Sequence, residues 1–88
     1  NLTIATHAFY LAVAGGRNRH SGITVPGAGF TNIDRMEKIF YRAFVMLMAP
    51  NSRFSDARRA TLQAATDLYG AGNERSQVEQ AWTAVGVN

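Results

Sequence analysis

Lys38-Ile39-Phe40-Tyr41-Arg42-Ala43-Phe44-Val45-Met46-Leu47-Met48-Ala49 carries the longest apolar run of this 88-residue chain and decides its fold. Asp34, Glu37, Lys38 and Arg42 gather on one side of the helix it implies. Ile33, Met36, Ile39, Phe40, Ala43, Phe44 and Leu47 recur on the other at three- and four-residue steps. Beyond Phe44 no polar side remains, because Val45, Met46, Met48 and Ala49 point all ways round. A helix that is apolar round its whole girth is expected to be buried round its whole girth. Residues 33–49 therefore read as the core helix, stopped by Pro50, with Phe40, Phe44 and Leu47 in the core.

Working outward from this helix, residues 2–14 read as helix one, ended by Gly15-Gly16. Its apolar residues cover well over half the circumference and leave Thr3, Thr6, His7 and Tyr10 as a narrow polar strip. So little solvent-facing surface implies a missing partner, with Leu2, Phe9 and Val13 exposed in the chain on its own. Residues 15–32 carry Gly15, Gly16, Gly22, Gly27, Gly29 and Pro26 and form a long irregular loop. Within it Ile23-Thr24-Val25 reads as a short extended piece before the proline. Ser55 is placed to cap helix three, which runs to Gly70 with an inner stripe of Ala57, Thr61, Leu62, Ala64, Ala65, Leu68 and Tyr69; Arg58 and Arg59 lie outward. Asn73 is placed to cap helix four, whose stripe is Val78, Ala81, Trp82 and Val85 before Gly86. The fold expected is all-α: one compact four-helix domain spanning residues 1–88, with Leu68 and Trp82 joining Phe40, Phe44 and Leu47 in its core.

The totals narrow the function. There is no cysteine, so neither disulfide nor thiolate chemistry is available, and the two histidines are too few to build a metal cage. No apolar run approaches the ~20 residues of a membrane span. Residue 1 is not Met and no signal peptide is present, so the chain reads as a piece of a longer polypeptide. A net charge of +3 and a pI of 10.0 raise the question of nucleic acid. Helices three and four could imitate a helix-turn-helix, but the reading helix would set Arg75 alone against Glu74 and Glu79, which suits phosphate poorly. Arg17, Arg19 and His20 form a small basic cluster in the loop and read as solvated. A hydrolytic site needs a nucleophile or activated water, a base and a charge stabiliser within mutual reach. Neither His7 nor His20 has an acidic residue one helical turn away, and no HExxH is present. The residues alone describe a helical domain with no catalytic set and no metal set of its own.

Several separated motifs nevertheless resemble one family. They are Lys38-Ile39-Phe40-Tyr41-Arg42-Ala43, then Ala64-Ala65-Thr66-Asp67-Leu68-Tyr69-Gly70, then Val78 with Gln80-Ala81-Trp82 and Ala84-Val85-Gly86-Val87. The opening from Asn1 through Ala8-Phe9-Tyr10-Leu11, Gly15-Gly16 and Gly27-Ala28-Gly29 follows the same order. Together they resemble the C-terminal helical domain of the thermolysin-like neutral metallopeptidases, over the whole chain.

The resemblance implies a secreted zinc endopeptidase whose zinc ligands, and calcium sites with them, lie on an N-terminal catalytic lobe. This chain would form one wall of the peptide-binding cleft, with peptide or protein as the parent's substrate. It implies a last catalytic His shortly before Asn1, which makes Asn1 a neighbour of the chemistry and assigns no catalytic or metal residue to this chain. Leu2-Thr3, Thr6 and a longer loop at Arg17-Asn18-Arg19-His20 depart from the familiar pattern. The expected partner is the catalytic lobe, with self-association of the isolated domain. The alternative from another class is a stand-alone helical interaction module with no peptidase attached.

Overall fold

The computed structural model describes residues 2–17, 21–27, 29 and 32–88. In chain order these form α1 (Leu2–Ala14), β1 (Gly16–Arg17), β2 (Thr24–Val25), α2 (Ile33–Arg42), a π-helical turn (Ala43–Leu47), α3 (Phe54–Tyr69) and α4 (Asn73–Ala84). The architecture is all-α, with four α-helices among the described residues. Asn1 lies outside them, as do Asn18, Arg19, His20, Ala28, Phe30 and Thr31, and the side chain of Leu2 is likewise not described.

Among the described residues of 15–32, the extended piece expected before Pro26 finds a strand partner. β1 and β2 pair antiparallel, Gly16 opposite Val25 and Arg17 opposite Thr24. Two glycines permit this. Gly15 (φ 73°) and Gly27 (φ 76°) hold left-handed backbone and lie so close that a side chain on either would collide with the other strand's backbone. The Gly29 amide then donates to the Val13 carbonyl at 2.7 Å and ties the loop to α1.

The core centres on Trp82, fully enclosed with 0% of its surface exposed. Phe40 stacks on it at 6.4 Å and meets Phe9 edge-on at 5.1 Å. Such ring pairs contribute ~0.5–1.5 kcal/mol beyond the area they bury. The small buried residues Ala57, Ala60, Ala64 and Ala65 let α3 approach both α4 and α2. Three side-chain or main-chain ties close the bundle. Ser21 Oγ donates to the Ala84 carbonyl at 2.6 Å, Arg75 donates to the Leu62 carbonyl at 2.9 Å, and Arg58 donates to the Glu79 and Val87 carbonyls at 3.1 and 2.9 Å.

Several expectations are corrected. Phe40 and Trp82 lie in the core, but Phe44, Leu47 and Leu68 are 39, 40 and 41% exposed. For Phe44 and Leu47 the cause is the π-helical turn. Its i→i+5 bonds wind the chain more widely than the 3.6 spacing assumes, so Phe44 and Leu47 turn partly out of the core register, although the Phe44 ring still meets Phe40 edge-on at 5.7 Å. Leu68 keeps its spacing from Thr61, Ala64 and Ala65, but its neighbours Tyr41 and Met46 are themselves exposed and cannot cover it. The all-round burial expected of residues 45–49 is likewise absent: Val45 and Met46 are 60 and 65% exposed.

Helix α1 is covered within the chain by α4 and α2; Val13 is buried and Phe9 half-buried against Phe40. Two of the three α1 residues expected to be open are thus covered within the chain, and the third, Leu2, lies outside the described side chains. Arg58 turns inward, since a guanidinium offers enough donors to satisfy several carbonyls at once. The caps shift by one or two positions. Arg53 caps α3, its amide donating to Asp56 Oδ2 at 2.9 Å, while Ser55 sits within the first turn. Gly72 caps α4, and Asn73 is its first helical residue.

Candidate functional site

Three carboxylates, Glu74, Asp67 and Asp56, serve the fold. Glu74 accepts from Arg35 Nη1 at 2.7 Å, and that guanidinium also lies 5.4 Å above the Tyr69 ring. Asp67 accepts from Gln63 Nε2 at 2.8 Å and from Arg42 Nη2 at 3.1 Å. Asp56 accepts from the Arg53 amide and pairs with Arg59. Hydrogen bonding holds all three carboxyls below their ordinary range: Arg35 chiefly for Glu74, Gln63 for Asp67 and the Arg53 amide for Asp56. These carboxylates stay charged at neutral pH, which suits ion pairs and excludes a raised-pKa general acid.

No group of three or more His, Asp or Glu side chains converges among the described residues. The donor set does not fit a zinc ion, and no zinc chemistry is assigned to these residues. Of the loop's basic cluster, Arg17 turns back on its own hairpin, Nε donating to the Gly22 carbonyl at 3.3 Å. Arg19 and His20 lie outside the described residues, as does Asn1, the single position the resemblance set beside catalytic chemistry.

What the structure offers instead is surface. Three concavities flank the π-helical turn among the described residues. The first, of 520 Å³, lies where Phe44 and Met48 meet Phe54 and Ala57 of the α3 start and Ala5 of α1, with Ser52 and Arg53 at its edge. The second, of 480 Å³, sets Tyr41, Met46 and Leu68 inside a rim of Asp34, Glu37, Lys38 and Arg42. The third, of 610 Å³, is polar and holds the ion pair of Asp56 and Arg59 under Leu47 and Gln63. Each takes residues from separate elements, so no single run of sequence announces it.

Asp56, Asp67 and Glu74 are thus held in ion pairs, and an apolar face of this small helical domain stays open. Residues 1–87 match the family model described as the thermolysin metallopeptidase alpha-helical domain, and the chain belongs to that family. It is 48% identical over 88 residues to the bacillolysin of Bacillus caldolyticus and, equally, to the thermolysin of Alicyclobacillus acidocaldarius subsp. acidocaldarius. Each match covers 99% of this chain and 15% of the relative. The bacillolysin of Bacillus cereus is 42% identical over 89 residues, covering 100% of this chain and 15% of that protein. The chain thus spans 15% of the length of these relatives and corresponds to their C-terminal region.

Proposed function

We propose that these residues are the C-terminal lobe of a secreted zinc metalloendopeptidase, forming one wall of its peptide-binding cleft and supporting the catalytic lobe. The observation that carries this reading is the match along residues 1–87 to a metallopeptidase domain in relatives more than six times longer. The paired carboxylates and the open apolar face support it. The groups that bind zinc and attack the peptide bond would reside on the N-terminal lobe, and the 88 residues alone would hydrolyse nothing. Calcium, where the parent needs it, would be held outside this chain as well.

The test is expression of the chain together with the coding sequence upstream of Asn1, followed by a casein or peptide hydrolysis assay with and without a zinc chelator. Chelator-sensitive hydrolysis by the long polypeptide, and none by the 88 residues, is the expected result. A long polypeptide with no HExxH and no hydrolysis would favour a stand-alone interaction module instead.

A further inference from the structure

Of the three concavities on the exposed face, one is built to be covered by polypeptide. The groove that holds Tyr41, Met46 and Leu68 is rimmed by four charged side chains, Asp34, Glu37, Lys38 and Arg42, and such a rim is readily hydrated. The polar hollow beside Asp56 is filled by the Arg59 pair. The 520 Å³ groove differs from both. Ala5, Phe44, Met48, Phe54 and Ala57 make it almost wholly apolar, and Arg53 is the single charged residue at its edge.

Its position is equally telling. Ala5 lies three residues into α1, and a helix rises about 1.5 Å per residue. Polypeptide entering α1 from its N-terminal side therefore passes within about 5 Å of the groove's level. The relatives place most of their length on that side.

We infer that this groove is the seat of the N-terminal part of the same polypeptide, which inserts large apolar side chains between Phe44, Met48 and Phe54. The inference rests on the proposed peptidase reading and names the surface through which its lobes meet. The seat runs along the π-helical turn and the start of α3, with α1 contributing only its first turns. The face bearing Met46 stays in solvent.

The chain's three methionines report on this directly. Met36 is fully buried, Met46 is open to solvent, and Met48 lines the groove. Oxidation to the sulfoxide follows exposure. In the full-length protein under mild hydrogen peroxide, peptide mapping is expected to find Met48 oxidised as slowly as Met36 and ~10-fold more slowly than Met46. Two full-length variants separate cover by the rest of the polypeptide from cover within the chain. Phe44→Glu should unmask Met48, whereas Met46→Glu, on the same exposed segment, should leave it protected. Equal rates at Met46 and Met48 would overturn the inference. So would protection that persists in a folded Phe44→Glu protein, or protection that grows with protein concentration, which would mark a second copy as the occupant. If the long protein hydrolyses peptide while Met48 reacts freely, the docking surface is wrong and the peptidase reading stands.

Discussion

The indole N–H of Trp82 donates to Thr61 Oγ1 at 2.8 Å in the interior of the bundle, and the Thr61 hydroxyl donates in turn to the Ala57 carbonyl at 2.9 Å. This chain of two bonds joins α4 to α3 where both side chains are fully enclosed. It fixes which face of α4 turns inward, since an enclosed indole N–H without an acceptor costs ~1–3 kcal/mol. Thr61→Val, nearly unchanged in shape, is therefore expected to destabilise the domain by ~1–3 kcal/mol, and Trp82→Ala by ~3–5 kcal/mol through the cavity it leaves. Urea unfolding followed by circular dichroism measures both. A Thr61→Val protein as stable as the parent would deny the bond its role.

Arg58 makes the second inter-helical tie, its guanidinium reaching the Glu79 and Val87 carbonyls and Thr83 Oγ1. Hydrogen bonds to a charged group contribute ~1.5–3 kcal/mol. Arg58→Met should cost about that much, and Arg58→Lys should restore little, because a lysine lacks the planar fork that serves several acceptors. Hydrogen exchange should localise the loss to residues 84–87, where amides would exchange faster than elsewhere in α4.

The acid side of the stability curve follows from Glu74, Asp67 and Asp56, whose folded-state pKa values are all lowered. A carboxyl more acidic when folded contributes stability above its unfolded value and loses it as the pH falls through the folded one. The contribution is thus whole above the ordinary 4.5 of Glu74 and is lost progressively below the ordinary 3.8 of the two aspartates. Thermal melts should show this loss beginning below about pH 5 and steepening toward pH 3. Glu74→Gln should lower the melting point at pH 7 and flatten the acid limb, with an effect in the ~0.2–1 kcal/mol range of surface pairs. An acid limb unchanged by Glu74→Gln would remove Glu74 from the account.

The 88-residue chain prepared alone should expose its apolar face at Val45 and Met46, bind a hydrophobic dye and self-associate. Val45→Lys with Met46→Lys should abolish much of the association while changing stability by no more than ~0.5 kcal/mol per site, as is usual for exposed positions. Analytical ultracentrifugation of the two forms decides it: equal association would place the sticky surface elsewhere.

Much of the fold was legible because glycines and prolines punctuate it. Gly15 and Gly70 mark helix ends that periodicity alone would blur, Pro50 follows shortly after the helical stretch closes at Leu47, and the run around Phe40 declared the core helix. Other readings failed for definite physical reasons. Val13 and Phe9 of α1 were read as open, yet α4 and α2 bury the first and half-bury the second. Phe44 and Leu47 were placed by a 3.6-residue period that the chain abandons after Ala43. Arg58 was read as solvent-facing because arginines on helices usually are, and nothing local reveals that three distant acceptors await it. The grooves were illegible for a related reason, since Ala5, Phe44 and Phe54 meet only once α1, the π-helical turn and α3 are assembled.

The π-helical turn sets a boundary inside what reads as one continuous helix. Up to Ala43 the inner face, Met36, Ile39, Phe40 and Ala43, answers to the enclosed interior, where a change of one methylene is felt. Past Ala43 the turn still packs on α3, but Val45 and Met46 face outward. Mutational tolerance should therefore break at a single peptide link. Substitutions before it would be limited by whether the domain folds, and substitutions after it by what the domain must meet. The lobe could in this way change its fit to a companion surface without renegotiating its own core.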